Sequence, residues 1–347
     1  MISIDSVRNR TDPCSDCYSV KMIPGDDQLT YRVGHVIRLA AYSRLSIIQA
    51  ANPSKVLPVG ERMNNVQLSI DKVAIEYHGV TVNFYNQLAL SLRDWFDIKP
   101  VIRHRGYVYH WNLGMDTAYM YLRYQPWWQK KLRKYTLQIE THPDYLVKFR
   151  TLLDVLYGHS KEVYFNRCEL AYDFPYPMNH VFLASNTGRD MNVYEGTCYF
   201  GRKEQSKGHA FCRNYDKKAE RLSKGAEEVN ERTRVELVYK PDEKIPIESI
   251  IQYPPKFNDY YTCSIIADLQ AVRAEKRAMI LALQHGLMTP DELSKHHRAS
   301  IKELMALQKP VDFDALAAKH WAELITVPCA LVCGKVSHLP TQEVRSG

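Results

Sequence analysis

The chain has 347 residues, 45% hydrophobic and 24% charged, ordinary values for a globular protein of one large or two smaller domains. This composition excludes a disordered chain, a collagen-like chain and a disulfide miniprotein. The formal charge of +7 suits a polyanionic partner without requiring one. No apolar run reaches the roughly 18 residues of a membrane span. The opening MISIDSVRNR lacks the basic-then-apolar pattern of a secretion signal. The chain is therefore expected to stay in the cytoplasm, away from membranes. Cys14 with Cys17 and Cys329 with Cys333 are close in sequence, but the two pairs lie too far apart along the chain to argue well for zinc. Reduced cytosolic thiols are the simpler reading.

The first 62 residues read as an extension of unknown role, with a linker-like stretch from Asn52 to Gly60. Regular patterning starts after Met63. Val66–Tyr77 has strand composition and ends at a His78-Gly79 turn, and Leu88–Phe96 reads as an amphipathic helix. Strands follow at Tyr107–Leu113, Ala118–Tyr124 and Tyr135–Thr141. Pro143 opens a helix that Gly158 stops. Strands are expected again at Glu162–Phe174, Thr197–Phe200, Ala210–Tyr215 and Thr233–Tyr239, with a charged helix over Lys217–Arg232. From Ser264 the character turns helical. One helix is expected over Ser264–His285, a second behind the Thr289-Pro290-Glu292 capping box and a third over Phe313–Ile325. The fold class is thus α+β, an antiparallel sheet with flanking helices over residues 63–255, followed by a helical unit and tail over 256–347.

Alternation along Glu162–Phe174 puts Arg167, Glu169, Ala171 and Asp173 on one face and Cys168, Leu170, Tyr172 and Phe174 on the other. Thr233–Tyr239 repeats the design, with Arg234 and Glu236 on the charged face. If the strands are neighbours, Glu169, Asp173 and Glu236 converge as oxygen ligands for a hard divalent ion, Mg²⁺ or Mn²⁺. The alternative is a solvated face with Arg–Glu cross-strand pairs.

Tyr215 ends a strand just before a charged helix. Such a phenol can attack a phosphodiester and hold the phosphate covalently. Its ordinary pKa near 10 makes it weak, and Arg213, Lys217 or a metal would have to help.

Residues 99–134 carry eight Lys or Arg residues, the single acid Asp116 and eight interleaved aromatics. Cations that track phosphates and rings that stack bases are what single-strand binding requires. Arg103, Arg105, Trp111, Tyr121, Arg123, Lys130 and Lys131 are the candidate contacts. The competing reading makes the aromatics sheet core and the Lys130–Lys134 cluster a solvated turn.

Three blocks in order resemble the Rep_trans replication initiation factor family. They are FNRCELAYDF from Phe165, GTCYFGRKEQSKGHAFCRNYDKKAER from Gly196, and Arg234-Val235-Glu236-Leu237. The family includes rolling-circle initiators of plasmids and filamentous phages and relaxases of conjugative elements, with an HUH-endonuclease-like fold. The resemblance implies Tyr215 as nucleophile and Glu169, Asp173 and Glu236 as metal ligands, with Glu169 standing where the family commonly has Asp. Glu140 or His142, on and just beyond the strand where HUH enzymes keep their histidines, are candidates to complete the shell. The implied function is DNA replication initiation in a bacterial host: a metal-dependent nickase that cuts one origin strand and re-joins it. Its implied partners are origin DNA, single-stranded at the nick, a host helicase and possibly a second copy of the chain. The alternatives are a relaxase with the same chemistry and a non-catalytic DNA-binding copy-control protein.

Overall fold

The computed structural model describes residues 66–99, 107, 109–126, 135–227 and 230–334. The proposed extension over residues 1–62 lies outside them. Ten antiparallel strands form one path through the main sheet. They are β1 (Gln67–His78), β2 (Asp97–Lys99), β3 (Tyr109–Met115), β4 (Ala118–Gln125), β5 (Thr136–Thr141), β6 (Glu162–Phe174), β8 (Met191–Tyr194), β9 (Thr197–Phe200), β10 (Cys212–Asp216) and β11 (Thr233–Tyr239). Their order is β2-β3-β4-β5-β1-β6-β11-β10-β9-β8, and the short β12 (Ile245–Pro246) also pairs with β6. A three-stranded sheet joins β7 (Val181–Ser185), β13 (Tyr261–Ile265) and β14 (Lys309–Val311). The helices are α1 (Val82–Trp95), α2 (Arg150–Gly158), α3 (Lys217–Ser223), α4 (Ala274–Gln284), α5 (Lys295–Leu307) and α6 (Phe313–Val332). This is the α+β, antiparallel class the sequence leads one to expect.

One face of the sheet is apolar for the reason the alternation states. Leu170, Tyr172 and Phe174 of β6, Val235 and Leu237 of β11, and Ile75 and Tyr77 of β1 are all buried in one core. α6 lies under this face. The Tyr77 hydroxyl donates to the Val332 carbonyl and the Tyr172 hydroxyl to the Phe313 carbonyl. By length and composition α6 could cross a membrane, but here its apolar residues, Trp321, Ile325, Leu331 and Val332 among them, share the sheet's core. Trp321 packs edge-on to Phe165 and Tyr239, and its indole N–H donates to the Ile250 carbonyl at 2.8 Å. Trp321→Ala should cost about 3–5 kcal/mol in urea unfolding, since it opens a cavity and removes one of the two hydrogen bonds on the Ile250 carbonyl, which keeps the Tyr253 N–H. Trp321→Phe should recover most of that, short of about 1 kcal/mol for the hydrogen bond.

The C-terminal third differs from expectation. Its first expected helix begins instead as strand β13, and the helix proper is only Ala274–Gln284. Between them Asp268 accepts from the backbone N–H groups of Gln270 and Ala271, a turn that breaks the helix. The Thr289–Glu292 capping box exists but caps one 3-10 turn, and α5 starts afresh on its own N-cap, Ser294. The expected helix over Lys217–Arg232 stops at Ser223, two residues before Gly225 takes φ +87°. α4 and α5 bury Ile280, Ile301 and Met305 with Phe182 of β7 in a second, smaller core.

Candidate functional site

The sheet face opposite α6 carries the charge. Here β1 contains a β-bulge, its register with β6 slipping between Ile70 and Lys72. Ile70 and Val73 stay in the core. The extra residue lets consecutive side chains, Asp71 and Lys72, both reach the polar face. Asp71, Glu169 of β6 and Glu236 of β11 each bring one carboxylate oxygen within 4.8 Å of the others. The sequence reading did not include Asp71, because the bulge breaks the alternation on which that reading depends.

Cations surround the three acids. Lys72 Nζ lies 3.1 Å from Glu169. Arg213, directly across from Glu236 in the β10–β11 register, bridges Glu236 and Glu169, lying 2.8 Å from the latter. Arg234 is 3.5 Å from Asp71 and 3.9 Å from Glu236. The Tyr215 hydroxyl donates to Glu236 Oε1 at 2.7 Å. Burial raises the Tyr215 pKa, and the Glu236 charge and this hydrogen bond raise it further. Burial also raises Glu236, against the pull of Arg213. The phenol is therefore held protonated beside an acid that is a stronger base than an ordinary carboxylate. Lys217 Nζ sits 5.6 Å from the centre of the Tyr215 ring and pairs with Glu220 at 2.7 Å. Three clustered carboxylates form a donor set of the kind Mg²⁺ or Mn²⁺ takes, with room left for water or phosphate oxygens.

Asp173 is not in this group. It stands opposite Arg234 and takes that guanidinium in a two-pronged pair, at 2.6 and 2.7 Å. Four residues along one strand span about 13 Å, so Glu169 and Asp173 share a face without sharing an ion. In this geometry Asp173 steadies Arg234, which faces both Asp71 and Glu236. His142 instead caps the turn at Pro143, accepting from the Asp144 N–H.

Glu140 of β5 belongs to a second buried cluster. Arg123 of β4 lies 2.6 Å from it, Arg167 of β6 2.7 Å and Lys207 3.4 Å. Burial opposes the Glu140 charge, but Arg167, Arg123 and Lys207 outweigh it and hold the carboxyl well below the usual range. Burial beside those arginines brings Lys207 down to about 8, against the pull of Glu140.

Farther along β1, Glu76 accepts from Asn166 at 2.6 Å, lies 3.0 Å from His78 and pairs with Lys244. Burial opposes the Glu76 charge, but the His78 hydrogen bond and Lys244 outweigh it and lower the carboxyl to about 2. A folded-state pKa below the unfolded value near 4.5 stabilises the fold above pH 4.5, and that contribution is lost as pH falls through 2. Its size is about 3 kcal/mol. Urea unfolding from pH 6 down to 2 should show a loss that is smaller by about this amount in Glu76→Gln.

Among the proposed DNA contacts, Arg103, Arg105, Lys130 and Lys131 lie outside the described residues. Arg123 is buried, its guanidinium on Glu140 and on Gln138 at 2.9 Å. It can meet a phosphate only by giving up that pair. The Trp111 indole N–H donates to the Tyr85 hydroxyl at 2.7 Å, and Tyr121 packs edge-on to Tyr119.

No family model and no curated protein matches the chain. Among solved structures, a rolling circle replication initiator protein from Geobacillus stearothermophilus is 12% identical and superposes with a TM-score of 0.32, over 70% of this chain and 98% of that one. At so low a score, what the site does has to be read from this chain's own geometry.

Proposed function

We propose that the chain is a metal-dependent, tyrosine-type DNA endonuclease and strand transferase that nicks one strand at a replication origin, as in rolling-circle replication. One observation carries the reading: the Tyr215 hydroxyl is hydrogen-bonded to Glu236, one of three carboxylates gathered at one point. The resemblance of three sequence blocks to replication initiators supports it.

In the proposed step the Tyr215 oxygen attacks the scissile phosphorus while its proton passes to Glu236. The phosphorus–O3′ bond breaks, the 5′ phosphate stays on Tyr215, and the departing O3′ takes the proton back from Glu236, through water, to leave as a hydroxyl. Attack by a 3′ hydroxyl on the phosphotyrosine reverses the step and re-joins the strand. Arg213 is placed to stabilise charge that develops on the phosphate. Lys217, over the Tyr215 ring, favours the phenolate. Asp71, Glu169 and Glu236 would hold a divalent ion, which supplies Lewis-acid polarisation of the phosphate and lowers the phenol pKa. The strand has to be melted or extruded for its phosphate to meet tyrosine and carboxylates together.

The test is incubation with labelled single strands tiling the DNA that carries the gene, with Mn²⁺ or Mg²⁺, followed by a denaturing gel. A cleaved strand with protein on its 5′ end supports the reading. Binding without cleavage on every strand overturns it in favour of a non-catalytic DNA-binding protein.

A further inference from the structure

A cavity of about 640 Å³ opens beside the carboxylates, within the size range of small-ligand sites. Lys72, Arg213 and Lys207 line it together with the carboxylates Glu140, Glu169 and Glu236, and Tyr194, Tyr199 and Phe211 add aromatic rings. The Tyr199 and Phe211 rings lie 6.5 Å apart, and Tyr194 is exposed. Behind Lys207 the charges do not balance: Arg123, Arg167 and Lys207 surround the single carboxylate Glu140. The Arg167 side chain is only 4% exposed, yet its Nε has no hydrogen-bond partner among the described residues. Excess buried cationic charge is costly unless an anion completes it. Lys207 and Glu140 both line the cavity, and Lys207, with its side chain 43% exposed against 8% for Glu140, is the more accessible of the two.

We infer that this cavity binds one nucleotide unit of the single strand, its phosphate on Lys207 and its base against Tyr199 and Tyr194. A base is flat and stacks on aromatic rings whatever its identity, and a phosphate supplies the missing negative charge. A protein or peptide anion would not account for the aromatic wall. Arg213, Glu169 and Glu236 line the same cavity, so the bound unit lies within reach of the reacting phosphate. The assignment rests on the endonuclease reading for its substrate, but it can be tested apart from cleavage.

The experiment is fluorescence anisotropy of a labelled single-stranded oligothymidine over a range of salt concentrations. Lys207→Met should weaken binding about tenfold and lower the salt slope by about 0.7, one single-strand phosphate. Lys207→Arg should restore the slope. Tyr199→Leu should weaken binding roughly 5- to 150-fold and Tyr199→Phe should not. If Tyr199→Leu fails to fold, Tyr194→Ala on the exposed side takes its place. Unchanged affinity and slope in Lys207→Met overturn the inference even if the strand is cut, and leave the nuclease standing. A strand that needs Lys207 but is never cut leaves the pocket and removes the nuclease. If a free deoxynucleoside monophosphate binds as tightly as the strand, the strand assignment is overturned and the site is one for free nucleotides.

Discussion

Tyr215→Phe should abolish both strand cleavage and the covalent protein–DNA adduct while leaving single-strand affinity near that of the unmodified protein. The substitution removes one oxygen and keeps the ring against Lys217. Glu236 loses the donated hydrogen bond but keeps its pair with Arg213, so no carboxylate is left alone. The stability change should therefore be about 1 kcal/mol or less. Without the phenol, no other group hydrogen-bonded to Glu236 among the described residues can hold a 5′ phosphate covalently. A Phe variant that cuts at full rate would move the nucleophile elsewhere, whereas one that cuts slowly and without an adduct would point to direct hydrolysis. Mass spectrometry of the trapped adduct in the unmodified protein identifies the tyrosine independently.

Strands β6 and β11 are legible in the sequence because one of their faces is apolar and the other charged, and β1 is legible from its strand composition. Glu162–Phe174 and Thr233–Tyr239 have the same bounds in the structure as in the pattern. Juxtaposition was harder to read. The Arg213–Glu236 pair depends on the β10–β11 register, which the strand patterns do not specify, and Asp71 depends on a bulge that alternation cannot foresee. Glu169 and Asp173 illustrate the opposite limit. They share a face, but the strand rise between i and i+4 sets them about 13 Å apart. The stretch SIIADLQAVRAEKRAMILAL has apolar residues at helical spacing throughout, so the Asp268 turn inside it gave little sign. Arg123 likewise sat in a basic aromatic run, and only the fold shows that its partner is Glu140, across the β4–β5 ladder.

Divalent metal should raise the melting temperature of the unmodified protein in a concentration-dependent way, because a ligand that binds only the folded state stabilises it by RT ln(1 + [L]/Kd). Asp71→Asn, Glu169→Gln and Glu236→Gln should each weaken that response, and cleavage should need more Mn²⁺ in each. The three variants differ in the rest of their effect. Glu236→Gln also removes the acceptor of the Tyr215 proton and should lose the most activity, with the least restored by added metal. Glu169→Gln strips charge from beside both Lys72 and Arg213, which keep Asp71 and Glu236 as partners, so its metal-free form should lose about 1 kcal/mol or less. Asp71, at the exposed edge with its side chain 27% accessible, should cost little stability and report mainly on metal. Asp173→Asn is the contrasting case. It frees Arg234 and should lower stability and activity together, yet leave the metal dependence of the melting temperature intact. If the melting temperature of the unmodified protein ignores Mn²⁺ and Mg²⁺ alike, the three acids are an ion network already neutralised by Lys72, Arg213 and Arg234. The tyrosine would then have Glu236, Arg213 and Lys217 to activate it, without a metal.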